Sequence, residues 1–407
     1  MKFNKNIILF VAVMLFILAG FNLNYYDTMK YHVYNFLVGN EISVANVPDL
    51  LSNIDKASVE RLRYHDAMMD LDSAKQRLLN TKVIRKTSSN VIVRTDCDSL
   101  VEPQSESFTD ENLEIIADNV ANLQEKAQSN GAEFLYVIAP RKTHAMDVPE
   151  HVTDFRNENL SAFADKLDAR NVNTLNLRDI LEEEGRLNED LFFKTDHHWK
   201  TQTGFWAYGE ICRNLNERYG FEYDPKYTDI SNYETTLYSD IFLGSYGKKL
   251  GTYFVPGGKD DFTLIAPKFE TNFTVVDPYD NLERSGSFHG TLLDTDALTA
   301  SDPYQANIYG VYRVDIGRFQ TITNHLKPEG KKILIIEDSF GCVVTPFLAL
   351  NFAEIHTIDP RQFLTDEYVN IYDYIEQFKP DYVMLLYGGV EDPPHGYGRY
   401  DFDQTPS

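Results

Sequence analysis

Cysteine and tryptophan are scarce in this chain of 407 residues, which has three of the former and two of the latter. The cysteines, Cys97, Cys212 and Cys342, lie far apart and form no CxxC spacing. Three cysteines cannot all pair within the chain, so the sequence indicates neither a disulfide framework nor a zinc-binding motif. We expect Cys342, in an apolar stretch, to be a buried structural residue.

Basic residues are also few, 38 against 62 acidic ones, which gives a net charge of −24. Such a surface repels phosphates, so we expect no nucleic-acid partner. Hydrophobic residues make up 43% of the chain, which is typical of a globular protein with a substantial core. We expect no cofactor.

Long apolar runs are rare, and the one of nearly spanning length is at the N-terminus. Lys2 and Lys5 precede the run from Ile7 to Gly20, the pattern of a signal sequence or signal anchor. The residues at the end of this run match the small-residue pattern of a signal cleavage site poorly. Tyr25, which follows, is typical of the membrane–water interface. We predict a signal anchor over residues 1–24 and a single-pass cell-membrane protein, whose ectodomain lies outside the cytoplasm and is secreted if the signal is cleaved.

Three further regions follow the predicted anchor, and the second of them contains an insertion. Residues 25–107 are interpreted as an N-terminal stalk or extension, 108–390 as the main domain and 391–407 as a C-terminal tail. Within the main domain, residues 221–325 are rich in Gly, Tyr, Thr and Asp and break the pattern around them. We predict a β-rich insertion there, with long loops of the kind that often bind substrate.

Short apolar segments alternate with amphipathic ones in the main domain. The alternation predicts an α/β fold with a doubly wound parallel sheet, covered by helices on both faces. Thr109 is a candidate helix cap, and the segment Cys342–Phe352 reads as a helix. The predicted strands are Phe134–Ala139, Val172–Leu177, Lys332–Ile336, Ile355–Ile358 and Tyr382–Tyr387.

Two polar motifs combine into one chemistry. The first is Lys194 to Trp199, KTDHHW, and the second is Ser339 directly after an apolar strand. A serine hydroxyl needs a base to become a nucleophile, and a histidine oriented by a carboxylate supplies one. Asp196 and His198 are spaced to do this. Taken singly, each residue has a plainer explanation, Ser339 or Asp338 as a helix cap and the histidines as buried structural residues.

The motifs TDHHW (Thr195–Trp199), TGFWAY (Thr203–Tyr208) and KKILIIEDSFG (Lys331–Gly341) occur in that order. Together with APRKTH after an apolar strand and IDPRQF near the end, they resemble the DHHW protein family over roughly residues 110 to 390. The family is similar to SGNH hydrolase-like proteins that O-acetylate bacterial exopolysaccharides such as alginate. The resemblance implies Ser339 as nucleophile, His198 as base and Asp196 as orienting acid.

The resemblance leaves some roles open. Glu337-Asp338-Ser339 stands where Gly-Asp-Ser is usual, and no Gly-x-Asn block supplies a second oxyanion donor. The backbone N–H groups of Ser339, Phe340 and Gly341 are the candidate oxyanion donors. Lys142, Arg361 and Trp199 are candidate substrate contacts, although the two cations are equally compatible with plain surface charges. His197 has no assigned role and is predicted to face away from His198, as neighbours on an extended segment do.

Three functions are compatible with these residues. The first is an O-acetyltransferase or acetylesterase acting on a cell-envelope or extracellular polysaccharide. In the case of a transferase, we expect a membrane-bound partner to supply the acyl group. The second is a non-catalytic glycan-binding or assembly protein on a decayed enzyme fold. The third is metal binding by Asp196, His197 and His198, which ranks last because adjacent histidines seldom converge on one ion. We therefore expect no metal.

Overall fold

The computed structural model describes residues 65–85, 91–279, 281–312, 318–363, 369–390 and 400–403. The predicted anchor, residues 1–24, and all but four residues of the predicted tail lie outside these ranges. Among the described residues, no helix combines the length and the apolar character needed to cross a bilayer. The chain divides after Gln76 into two compact units, and the second contains the sheets described below.

The described α-helices vary from one turn to more than five. Thr109 caps one of them as predicted, since its side chain accepts a hydrogen bond from the amide of Asn112. In chain order they are α1 His65–Leu78, α2 Asp110–Ser129, α3 Arg156–Ala169, α4 Leu177–Glu183, α5 Thr201–Tyr219, α6 Ser245–Leu250, α7 Phe288–Thr291, α8 Thr345–Leu348 and α9 Ile371–Phe378.

The described strands form one large sheet and two small ones. They are β1 Val83–Arg85, β2 Val91–Arg94, β3 Leu100–Val101, β4 Glu133–Ala139, β5 Thr174–Asn176, β6 Tyr233–Phe242, β7 Asp260–Pro267, β8 Phe273–Asp277, β9 Leu282–Gly286, β10 Phe319–Asn324, β11 Lys332–Glu337, β12 Glu354–Ile358 and β13 Tyr382–Gly388. The eight-stranded sheet has the order β5-β4-β13-β11-β12-β10-β8-β9.

The predicted parallel sheet is confirmed in part. Strands β5, β4, β13, β11 and β12 pair in parallel, as their continuous apolar sequences indicate. Alternate residues of β11 enter different cores, Ile333 and Ile335 on one face and Leu334 and Ile336 on the other. Helix α5 covers the first face, and α2, α3 and α9 cover the second, so helices lie on both sides of the sheet.

The insertion, residues 221–325, extends this sheet instead of forming a separate layer of loops. Its strands β8, β9 and β10 add three antiparallel neighbours beyond β12, and the whole sheet is therefore mixed. Strands β6 and β7 form a separate antiparallel ribbon. Their inner side chains, among them Phe242, Phe262 and Ile265, belong to the same core cluster as α5.

Some local predictions were wrong. The predicted strand Val172–Leu177 is only three residues long, because α4 begins at Leu177 after an Asn176 cap. In place of one helix over Cys342–Phe352 there is a 3₁₀ turn, Ser339–Val343, followed by the short α8, which has Pro346 near its start. Cys342 is fully buried, as expected.

The small sheet β1–β3 lies inside the predicted extension, residues 25–107. Val91, Val93 and Val101 nevertheless belong to the main core cluster, and the amide of Leu100 donates to the carbonyl of Lys194. The second half of the predicted stalk is therefore part of the folded unit and contacts the loop that carries Asp196.

Candidate active site

The loop carrying the two histidines is closed at its base. Phe192 and Trp199 form an isolated antiparallel bridge, and the amide of Lys200 donates to the carbonyl of Leu191. The residues between them bend without regular structure before α5 begins at Thr201. This closure projects Asp196, His197 and His198 from the start of a long helix, and we call residues 193–198 the acid–base loop.

Two buried charged residues satisfy the backbone of the acid–base loop. Lys142 Nζ donates to the carbonyls of Phe193, Lys194 and Asp196 at 2.6, 3.0 and 2.9 Å. The Asp260 carboxylate accepts from the amides of Lys194 and Thr195, at 2.6 and 2.8 Å, and from the Thr195 hydroxyl at 2.6 Å. One side chain thus binds the carbonyls of the loop and the other binds its N–H groups.

Lys142 is therefore not the predicted substrate contact. Its side chain is only 3% exposed, and its three N–H donors are all taken by the acid–base loop. Burial lowers the pKa of Lys142 to about 7, against the opposing attraction of Asp260 and Asp196. Its position after β4, at the edge of the sheet where Ser339 lies, predicts a substrate contact. Position in the sequence does not, however, reveal the direction of a side chain.

The second motif places Ser339 at the carboxyl end of β11. Asp338 fixes this turn with both oxygens, since Oδ1 accepts from the amide of Phe340 and Oδ2 from the amide of Gly388, each at 2.9 Å. Glu337, where a glycine is usual, is fully buried and accepts from the Thr345 hydroxyl at 2.6 Å. The departure from Gly-Asp-Ser is thus accommodated without displacing the serine.

The three residues of the predicted triad lie in a line of hydrogen bonds. His198 Nε2 is 2.7 Å from Ser339 Oγ, and His198 Nδ1 is 2.5 Å from Asp196 Oδ1. Asp196 and His198 are 4% and 5% exposed, whereas Ser339 is partly accessible. Burial raises the pKa of Asp196, but the two adjacent histidines and its hydrogen bonds outweigh this and hold that pKa well below its usual range.

The insertion holds the other side of Asp196. The amide of Ser245 donates to Asp196 Oδ2 at 2.6 Å, at the first residue of α6. Gly244 approaches so closely that a Cβ atom built on it would lie 2.2 Å from Asp196 Cβ, so only glycine fits. Neither residue was singled out from the sequence, where one glycine among 22 gives no signal.

The prediction for His197 was wrong. Its ring does not face away, because the acid–base loop is bent instead of extended, and its centroid is 3.7 Å from that of His198. Its Nδ1 is 2.9 Å from the hydroxyl of Ser245. Tyr309, also from the insertion, stacks on the opposite face of His198 at 3.7 Å with only 10° between the planes.

Two of the predicted oxyanion donors are occupied. The amide of Phe340 donates to Asp338 Oδ1, and that of Gly341 donates to the carbonyl of Asp338 at 2.9 Å. Among the described residues, the amide of Ser339 forms no hydrogen bond, so it is the remaining backbone candidate of this turn. Position alone predicts three oxyanion donors, but Asp338 accepts hydrogen bonds from two of those amides, so they are not available to an oxyanion.

The other two predicted substrate contacts also have structural roles. Trp199 is fully buried and packs edge-on against Phe340 with ring centroids 5.3 Å apart, beneath the site. Arg361 forms a two-pronged ion pair with the buried Asp359, at 2.9 and 2.7 Å, in the turn after β12. Trp199 is therefore not presented to a substrate, whereas Arg361 is exposed and its role as a substrate contact stays a prediction.

Arg141 is the cation that lies beside the nucleophile turn. Its guanidinium carbon is 5.4 Å from the centre of the Phe340 ring, and its Nε donates to the carbonyl of Gly388. It lies one residue before Lys142, just after β4. A cation after this strand is therefore near the site, as the sequence predicts, but the residue is Arg141 and not Lys142.

The alternative of a metal site meets a geometric objection. Asp196, His197 and His198 offer ligand atoms within 4.8 Å of one another. However, Asp196 Oδ1 and His198 Nδ1 are 2.5 Å apart, whereas two ligands at about 2 Å from a tetrahedral ion are separated by roughly 3.3 Å. The observed spacing is that of a charge-assisted hydrogen bond.

Comparison with known proteins supports the resemblance found in the sequence. Residues 95–235 match the family model of the SGNH hydrolase-like domain of the acetyltransferase AlgX. That stretch of the chain is therefore similar to an SGNH hydrolase-like domain. The matched residues include the acid–base loop but end before Ser339, so the match does not extend to the nucleophile. A comparison with curated proteins finds no significant match.

Solved structures show the same fold over a longer stretch of the chain. PatB1 from Bacillus cereus is similar with a TM-score of 0.63 and 20% identity, covering 77% of this chain and 100% of that one. A DHHW family protein from Eubacterium siraeum gives a TM-score of 0.53 and 19% identity, covering 75% and 93%. A second PatB1 structure, with a TM-score of 0.62 and 19% identity over 79% of this chain and 99% of that one, carries a sulfonyl adduct. At these identities the likeness concerns the fold alone.

Proposed function

We propose that this protein is a serine acyl-transfer enzyme in which Ser339 is the nucleophile, His198 the general base and Asp196 the orienting acid. The observation that carries the proposal is the continuous line from Asp196 through His198 to Ser339, with contacts of 2.5 and 2.7 Å. The nucleophile and base lie 141 residues apart in sequence, so their contact is not a local accident.

The chemistry follows from the geometry. Ser339 Oγ attacks the carbonyl carbon of an acyl donor while its proton passes to His198 Nε2. Asp196, ionised because its pKa is held low, accepts a hydrogen bond from His198 Nδ1–H and stabilises the imidazolium. His198 then gives its proton to the leaving group, which departs and leaves an ester on Ser339. A hydroxyl acceptor attacks that ester, His198 takes the acceptor's proton, and Ser339 is regenerated when the proton returns to its oxygen.

The acceptor distinguishes a transferase from an esterase. We propose that it is a hydroxyl group of a cell-envelope or extracellular polysaccharide and that the acyl group is acetyl. The likeness to an acetyltransferase domain and the chemistry of the triad support this assignment. With water as the acceptor, the same steps would make the protein an acetylesterase. We further propose that residues 1–24 anchor it, with the ectodomain outside the cytoplasm and the acyl donor supplied by a membrane-bound partner.

The test uses the full-length protein and its Ser339→Ala variant. Incubation with an acetyl ester that releases a chromophore, followed by rapid acid quench, should leave one acetyl group on Ser339, located by peptide mass spectrometry. A sulfonyl fluoride should label the same oxygen, a probe suggested by the adduct of PatB1. Adding an oligosaccharide acceptor should move the acetyl group to sugar if the enzyme is a transferase.

The alternative function, a non-catalytic glycan-binding protein, gives the opposite outcome. In that case neither reagent would label Ser339, and Ser339→Ala would bind glycans as the wild type does. Labelling of Cys342 or of a lysine in place of Ser339 would also overturn the assignment of the nucleophile.

The proposed topology needs a separate test. Protease added to intact spheroplasts should digest the described part of the chain, because it would be exposed outside the membrane. A protein that is protected until the membrane is permeabilised would contradict the proposed orientation and would leave the chemistry untouched.

A further inference from the structure

His198 has an aromatic ring against each of its faces. The centroid of His197 is 3.7 Å away on one side with 38° between the planes, and that of Tyr309 is 3.7 Å away on the other with 10°. We propose that His197 and Tyr309 are positioning residues, which together hold the imidazole of His198 in the plane required for proton transfer with Ser339. We call the three rings the base clamp.

The two hydrogen bonds of His198 leave one motion unrestrained. They run from its opposite nitrogens to Asp196 and Ser339, so the ring can rock about the line that joins them with little change in either length. Rocking misdirects the Nε2 lone pair, and a small misplacement in a reacting pair can cost about 100-fold in rate. Flat groups against both faces oppose this motion directly.

Each side of the base clamp is itself fixed. The Nδ1 of His197 is 2.9 Å from the Ser245 hydroxyl. Tyr309 begins a 3₁₀ turn in the insertion, is only 3% exposed and meets Phe193 edge-on at 6.3 Å. The insertion therefore provides Tyr309 on one side of the imidazole, and on the other side its Ser245 holds His197 by a hydrogen bond.

The chemistry of the two rings suits a base that becomes charged. The face of a tyrosine attracts a cation, so Tyr309 favours the imidazolium that forms when His198 accepts the serine proton. His197 does not oppose this with a second charge, because burial, together with the nearby His198, lowers the pKa of His197 and keeps it neutral. This assigns a role to the additional histidine of the DHHW motif.

The proposal rests on Ser339 acting as a nucleophile, and its test separates the two ideas. The rate of Ser339 labelling by a sulfonyl fluoride is measured for full-length Tyr309→Leu, Tyr309→Phe, His197→Ala and His197→Phe. The matched control is Tyr312→Leu, since Tyr312 is equally buried in the same turn but its hydroxyl contacts the backbone of Ile265. The second readout is the downfield proton resonance of His198 Nδ1–H in its short hydrogen bond to Asp196.

Tyr309→Leu and His197→Ala should slow labelling by about tenfold or more and broaden the downfield resonance. Tyr309→Phe and His197→Phe, which keep a flat ring, should recover most of the rate and the sharp resonance. Tyr312→Leu should lower the melting temperature but label within about twofold of wild type when folded.

Wild-type rates and sharp resonances in both truncated variants would overturn the base clamp. So would an equal slowing in Tyr312→Leu, which would make the effect one of general packing. If wild-type Ser339 is not labelled at all, the proposed nucleophile fails, and the resonance still decides whether the two rings order the imidazole.

Discussion

The parallel part of the sheet and the insertion contribute to the site in different ways. Strand β11 leads directly into the turn that carries Ser339, and Asp338, one residue before the serine, fixes that turn by accepting from the amide of Phe340. The insertion delivers Asp260, Ser245 and Tyr309, each of which acts on the acid–base loop from at least 48 residues away. The comparison teaches that the reacting groups can be found from motifs, whereas the groups that hold them come from a region without a recognisable pattern.

The largest expected effect comes from removing the reacting groups, as opposed to the groups that hold them. Ser339→Ala and His198→Ala should each reduce acyl transfer by at least about 10³-fold, and the double variant should be little worse than either, since the residues act as one unit. Initial rates with the chromogenic acetyl ester measure this. Additive losses would mean that the two residues act in separate steps.

Removing a support from the insertion should cost stability as well as rate. Asp260→Ala leaves the amides of Lys194 and Thr195 without their buried acceptor, which should lower the free energy of unfolding by about 3 kcal/mol. Urea unfolding and Ser339 labelling report the two effects.

Asp261→Ala is the matched control for this experiment. It removes an exposed carboxylate that accepts from the amide of Asp240 and, among the described residues, forms no hydrogen bond with the acid–base loop, and it should lower the free energy of unfolding by about 1 kcal/mol. Equal losses in both variants would show that the Asp260 contacts to the acid–base loop are not the cause.

Lys142 gives a smaller, pH-dependent effect. Its pKa is about 7 in the folded protein and about 10.4 when unfolded, so between these values the unfolded chain binds more protons at this site. The difference in unfolding free energy between wild type and Lys142→Met should therefore grow in favour of wild type from pH 7 upward. Urea unfolding at pH 6.5, 8 and 9.5 measures it.

An exposed lysine of the same loop is the control for this pH dependence. Lys194→Met should show no comparable rise, because the side chain it removes is not buried. If the difference for Lys142→Met falls or stays flat, burial is not the dominant influence on that lysine.

The smallest expected effect is that of a chelator. Because Asp196 and His198 are hydrogen-bonded at a distance too short for two ligands of one ion, EDTA should leave the rate of Ser339 labelling unchanged. A loss that added zinc restores would instead support a metal held by the acid–base loop.

Particular residues show where sequence reasoning succeeds and where it stops. The parallel strands were predictable because burial on both faces requires continuous apolar runs, as in Ile333–Ile336. The meeting of His198 with Ser339 was predictable because both motifs border strands or helices at the same edge. Strands β8, β9 and β10 were predicted only as β-rich sequence. Their antiparallel addition beyond β12 could not be predicted, because the local sequence of a strand does not indicate its pairing partner.

The misjudged residues have a common physical cause. Lys142 and Trp199 are predicted as substrate contacts, yet both are buried. Lys142 is enclosed by the carbonyls of the acid–base loop, and Trp199 packs against Phe340; no local pattern reports either contact. His197 was assigned to the wrong side because the loop bends where an extended segment was assumed. Side-chain direction in an irregular segment depends on distant partners, here Asp260 and Ser245.

The contact between Ser245 and Asp196 has a consequence for how such proteins diverge. Its donor is a main-chain N–H, which every residue except proline provides, so this support of the acid does not depend on which side chain stands at position 245. What cannot change freely is Gly244, where any larger residue would push into Asp196. Residues of the insertion that contact neither the acid–base loop nor its ring neighbours can thus vary without loss of this support, provided that Gly244 is inherited.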